Sequence, residues 1–179
     1  MNRKYTLLIF LLFLSAFFTI MGFKTKTSVA ESPAGYTPAK VFIKVQPEGK
    51  ILNYSKTSIY SVKVFSEISN TFSDFSHNEI ENLKNDLKRY DKEGLNCSCT
   101  PDTSTNSVTL NCDINGAMYD KNSYDFHWLL GDLPFDLYQF TQKVKELTYT
   151  GKIEGIPTTI KLMFDYKITH CHEHVWPAR

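Results

Sequence analysis

TYTGKIEGIPTTIKLMFDYKI (residues 148–168) reads as two strands joined by a tight turn. Leu147, Tyr149 and Ile153 alternate with polar neighbours before the EGIP turn, which predicts a strand over about 145–154. After the turn, Ile160, Leu162, Phe164, Tyr166 and Ile168 alternate without a break, giving the longest strand the sequence predicts. Successive strand side chains point to opposite faces, so a period of two marks a strand with one buried face. An isolated hairpin is at best marginal in water, so these strands need further strands and a covering layer. The alternation runs on into ITHCHEHVWP (168–177), where His170, His172 and His174 continue the apolar face and Cys171 and Glu173 take the other.

Upstream segments supply the rest of the sheet. KVFIKV (40–45) reads as a first strand, punctuated by Pro47 and Gly49. In TSIYSVKVFSEIS, Tyr60, Val62, Val64 and Ile68 suggest a second, half-buried strand. FSHNEI (75–80) carries the grammar of a helix start, with Ser76 and Glu79 as a capping box and Phe75 and Ile80 as a hydrophobic staple. Ile80, Leu83, Leu87 and Tyr90 then form a stripe at helical spacing, predicting a helix over about 77–92 that Gly94 stops. Residues 95–118 read as a β-hairpin. Leu95, Cys97 and Cys99 share a face of its first strand, Val108, Leu110, Cys112 and Ile114 share one of its second, and PDTSTN is the loop. NSYDFHWLLGD suggests another strand, and DLPFDLYQF a short helix with Asp132 as N-cap and Pro134 in its first turn. The predicted fold is therefore α+β: a mostly antiparallel sheet of about five to seven strands with one long and one short helix packed on it.

The front of the chain is of another kind. Arg3 and Lys4 precede an uncharged, largely apolar run from Leu7 to Phe23, and Ser28 and Ala30 place small residues at −3 and −1 of a cut after Ala30. Residues 1–30 are expected to be a signal peptide. An uncleaved N-terminal anchor is the alternative, since the run approaches the length of a membrane span. Either way the rest is expected to be secreted or extracytoplasmic, touching a membrane only through that segment if it is uncleaved. Residues 31–39 read as a flexible linker, and 40–179 as one disulfide-stabilised domain. The chain has net charge +1, and removing the four positive charges of residues 1–30 leaves the remainder at −3. No basic stripe appears, which argues against nucleic acid as a partner.

All four cysteines, Cys97, Cys99, Cys112 and Cys171, lie in the domain, and an even count outside the cytoplasm points to two bridges. Neighbours two apart in a strand run side by side, near the limit of disulfide reach, which disfavours Cys97–Cys99. Of the remaining pairings, Cys97–Cys112 with Cys99–Cys171 is preferred to Cys99–Cys112 with Cys97–Cys171. A thiolate metal site is the rival use of these residues, but CxC is tight for zinc and an oxidising compartment favours bridges.

The chemistry-bearing candidates are His170, His172 and His174. Two imidazoles at i and i+2 of a strand can share one ion, and Zn²⁺ or Cu²⁺ suits them best. The bland alternative is a strand whose apolar face leaves the core near residue 169, with its rings in water. Asp74, His77, His127 and the acids Asp125, Asp132 and Asp136 lack the spacing of a catalytic or calcium-binding motif. There is no HExxH, nucleophile elbow or Gly-rich phosphate loop, so no enzyme class is indicated. Asn53 and Asn96 begin glycosylation sequons. The expected function is that of an exported, non-catalytic domain with an unknown macromolecular partner at the cell surface or envelope. The alternative is an exported Zn/Cu-binding protein.

Overall fold

Strand alternation sets the architecture from the first element. In β1 (Lys40–Glu48), Val41, Ile43 and Val45 are buried, while Lys40, Phe42 and Lys44 face outward. The computed structural model describes residues 35–116, 118–120, 123–124, 126–130 and 140–164. The elements that follow are β2 (Ile51–Ile59), α1 (Val62–Asn70), α2 (Phe72–Lys88), β3 (Glu93–Asp102) and β4 (Ser107–Asn115). After them come β5 (Met118–Asp120), β6 (Ser123–Tyr124), α3 (His127–Leu130), β7 (Phe140–Lys143), β8 (Glu146–Ile153) and β9 (Ile156–Met163).

The fold is α+β. Seven strands form one sheet in the order β3-β4-β2-β1-β9-β8-β7, and β5 and β6 pair separately. Every neighbour in the large sheet is antiparallel except β1 and β9, which run parallel with Val41 beside Thr158 and Val45 beside Leu162. The sheet thus consists of two antiparallel blocks welded through one parallel pair at its centre.

One face carries the core. Val41, Ile43, Val45, Leu52, Ile114, Ile160 and Leu162 are buried there, and the helices lie over them. Leu87 of α2 enters this core, with Ile80, Leu83 and Tyr90 packed against it, so the predicted helical stripe faces the sheet. Trp128 and Leu129 of α3 join the same core, and the Trp128 ring meets Tyr54 edge-on at 5.7 Å. A second cluster of Tyr60, Phe65, Ile68, Phe75 and Val108 packs α1 and the start of α2 against β4.

Several expected elements are corrected. The predicted second strand over 57–69 splits. The strand is β2, and residues 62–70 form α1, capped by the Ser61 hydroxyl, which accepts from the Val64 N–H at 3.4 Å. Phe65 and Ile68, three residues apart, are the buried pair, whereas Val62 is 71% exposed, so the local period is helical. Helix α2 starts at Phe72 rather than 77, with Thr71 at the N-cap and no side-chain cap bond. Ser76 therefore lies inside the helix, and Glu79 turns into the core instead of closing a capping box.

The stop assigned to Gly94 comes earlier. Asp91 takes the left-handed conformation (φ 55°) after the helix, and the Lys92 N–H reaches back to the Leu87 carbonyl at 3.0 Å. Gly94 serves packing instead. A Cβ there would lie 3.0 Å from Cys112 Sγ and 3.2 Å from Cys97 Sγ. NSYDFHWLLGD holds the two-residue β6 and the one-turn α3 rather than a full strand. β8 matches the expected strand over 145–154, but β9 closes at Met163, and β3, at 10 residues, is the longest described strand. The predicted helix over 132–140 lies outside the described residues except for Phe140, which opens β7.

Ile43 sits at the weld, fully enclosed, while Phe42 beside it is 37% exposed. Ile43→Ala should lower the unfolding free energy by about 2–5 kcal/mol in urea denaturation. Phe42→Ala should cost clearly less, and equal losses would misplace the two faces of β1.

Candidate functional site

The face opposite the helices is built from the alternate positions of the same strands. Core residues on β1, β2 and β4 leave Lys44, Gln46, Asn53, Ser55, Asn111 and Asp113 on the other side. Register lines them up across strands. Lys44, Ser55 and Asn111 form one row, and Gln46, Asn53 and Asp113 the next. Thr57 and Thr109 continue the pattern, their hydroxyls 2.9 Å apart. Lys161 of β9 extends the Lys44 row and pairs with Glu146 Oε1 at 3.6 Å. The Thr148 hydroxyl donates to Glu146, and this bond, with Lys161 and Lys143 nearby, holds that carboxyl below its usual range. Phe42 is the exposed large apolar residue on this face among the described residues, with Lys40 Nζ 4.5 Å from its ring centroid; Ile51, Ile59, Leu95 and Met163 on the same side are half-buried.

The face hollows into a groove of about 460 Å³ over β1, β2 and β4, with Asn96 of β3 at its side. Asn96 is there because the β3 ladder bulges. Leu95 pairs with Asp113 and Ser98 with Asn111, so Asn96 and Cys97 together oppose Cys112. Asn96 absorbs the extra residue in a left-handed conformation, φ 49°. The bulge also corrects the expected facing of the hairpin, because Leu95 falls opposite the groove residue Asp113 while Cys97 turns to the core. Two amides in the groove are oriented by carboxylates. Asn53 Nδ2 donates to Glu48 Oε2 at 2.6 Å, and Asn96 Nδ2 donates to Asp113 Oδ2 at 3.0 Å.

The covered face holds the buried ionisable groups. Lys56 Nζ lies 3.4 Å from Glu79 Oε2, and both side chains are less than a tenth exposed. Glu79 Oε1 has no hydrogen-bond partner among the described residues. Burial pushes the Cys99 thiol up to about 11, with Glu79 adding to the shift and contacts to Ser76 and Lys56 opposing it. Burial, then the charges of Glu79 and Asp86, raise the Tyr54 phenol as well. A thiol so raised is protonated at neutral pH and is a poor nucleophile. This cluster therefore has the character of core architecture rather than of an activated catalytic group.

Cys97 and Cys112 form a disulfide, with Cα atoms 4.1 Å apart. Among the described residues Cys99 has no disulfide partner. Cys171, its expected partner, and His170, His172 and His174 lie outside the described residues. Among the described residues, no group of three or more His, Cys, Asp or Glu side chains is placed to hold a metal ion, and no helix is long and apolar enough to cross a membrane. Asp74 and His77 both lie within α2 and are exposed; His127 opens α3. Asp125, Asp132 and Asp136 fall outside the described residues. Sequence reading did not single out the groove, because alternating Asn, Ser and Gln look like any solvated strand face until register is known. No family model, curated protein or solved structure matches the chain.

The buried pair makes a distinct prediction. Lys56→Met alone strands the Glu79 carboxylate and should lower the unfolding free energy by about 3–5 kcal/mol. Adding Glu79→Leu should recover most of that loss in a double-mutant cycle, and strictly additive losses would contradict the pairing.

Proposed function

We propose that the chain is an exported, non-catalytic binding domain, secreted or held at the cell surface, that meets a macromolecular partner through the open face of its sheet. The observation that carries this reading is the asymmetry of the sheet. Helices and core occupy one face, while the other presents a groove whose polar side chains are aligned across β1, β2 and β4. Strands hold those side chains on a rigid frame, which suits recognition better than a mobile loop does. The environments of Cys99 and Tyr54 disfavour nucleophilic chemistry and so lend support to a binding role.

Export is supported by the apolar N-terminal run with its SVA pattern and by the Cys97–Cys112 bridge, a type of bond that persists in oxidising compartments. The alternative of a Zn or Cu site on His170, His172 and His174 has only their alternate spacing behind it.

Photo-crosslinking on intact producing cells separates the open face from the helix surface. A crosslinker at Ser55 or Asn111 should give a discrete higher-mass adduct, whereas one at Ser73 or Asn78 on the exposed side of α2 should not. Equal adducts from both surfaces, or none from the groove, would contradict the reading.

A further inference from the structure

We infer that the groove over β1, β2 and β4 binds a neutral, polyhydroxylated ligand, the chemistry of an uncharged glycan. This names the ligand class for the open face and rests on that face being the binding surface.

The lining disfavours three other ligand classes in turn. Apart from Tyr54 and Cys112, whose side chains belong to the core, it is built from four amides, a hydroxyl and three charged groups, so an apolar ligand would gain little burial while stripping water from polar atoms. Among the described residues Lys44 is its only lysine or arginine, so a phosphate or sulfate would lack a clamp of several cationic donors. Its carboxylates, Glu48 and Asp113, stand on β1 and β4 with β2 between them. Two carboxylates are few for a hard cation that takes about six to eight oxygens, and among the described residues no group of three or more His, Cys, Asp or Glu is placed to hold a metal ion. Each carboxylate is already engaged by an amide, which further reduces its pull on a cation.

What remains is a surface of paired donors and acceptors with little net charge. A sugar hydroxyl donates one hydrogen bond and accepts others, so it needs both kinds of group within reach. Asn53 and Asn96 each spend one N–H on a carboxylate, which orients the amide and leaves its carbonyl oxygen and second N–H for a ligand. Gln46 and Asn111 add amides on the flanking strands, and Lys44 adds a cationic donor. The Glu48 and Asp113 carboxylates add acceptors. Because strand register and the carboxylate bonds hold these groups in place, binding costs less side-chain entropy than it would on a loop. The groove is half open to solvent, so it would take a short stretch of a longer chain lying across the strands.

The test is a titration of the isotope-labelled mature protein, followed by amide NMR. The probes are soluble neutral hexasaccharides: β-1,4-glucose, α-1,4-glucose, β-1,4-N-acetylglucosamine and α-1,6-mannose. Inorganic phosphate and Ca²⁺ are titrated separately. At least one hexasaccharide should give saturable shifts concentrated in β1, β2 and β4. Its affinity should fall about tenfold or more in Asn53→Ala with Asn111→Ala, and should be insensitive to salt, as expected of an uncharged ligand. Thr150→Ala, on the open side of β8, should leave it unchanged. The inference is overturned if no hexasaccharide binds, if binding survives the double variant with an unaltered thermal midpoint, or if phosphate or Ca²⁺ alone shifts the groove. Silence of the whole panel with groove-dependent crosslinking intact would remove the glycan and leave the binding face standing. Loss of both would remove both.

Discussion

The parallel pairing of β1 with β9 joins the two antiparallel blocks into one sheet. Val41, Ile43 and Val45 on one strand and Ile160 and Leu162 on the other are buried at the middle of the sheet. Without that contact the chain would be two antiparallel pieces, β3-β4-β2-β1 and β9-β8-β7, each with an exposed apolar edge. An exposed edge of that kind invites pairing with other chains. Burial of each large aliphatic side chain contributes about 1.5–3 kcal/mol, so the residues of this weld outweigh any single polar contact in the molecule.

The weld also fixes which side chains face outward. A strand cannot shift by one residue without exchanging its two faces, so burial of Val41, Ile43 and Val45 obliges Lys44 and Gln46 to stand on the open side. The same logic passes through β2 to β4, where buried Leu110, Cys112 and Ile114 leave Asn111 and Asp113 in line with Ser55 and Asn53. At β3 the bulge reconciles two demands. It turns Cys97 toward Cys112 for the disulfide and brings Asn96 to the groove, where it bonds Asp113. The open face is thus a by-product of core packing, and its register is fixed by that core.

Much of the sheet was legible in the sequence because hydrophobic alternation was clean there, as in β1, β4 and β8. β2 was not, for a physical reason. Its core face carries Lys56 and Ser58 beside Leu52 and Tyr54, so a buried ion pair conceals the alternation. The same pair misled the reading of α2, since Glu79 resembles a capping-box residue although its place is opposite Lys56. The stretch around Val62 and Val64 alternates briefly by chance, and only the burial of Phe65 with Ile68 reveals the helix. The β1–β9 pairing joins residues more than about a hundred positions apart, and local pattern carries no signal of it. The groove residues were visible as polar strand positions, but their assembly into rows needed the register.

Native-state hydrogen exchange across the sheet probes the β1–β9 weld itself, because it reports whether strands open together or apart. Amides of β1 and β9 should be among the slowest to exchange and should share one opening, that of global unfolding. If β7, β8 and β9 exchanged through a separate, lower-energy opening while β1, β2 and β4 stayed protected, the parallel weld would not hold the sheet together, and this account of both its faces would fail.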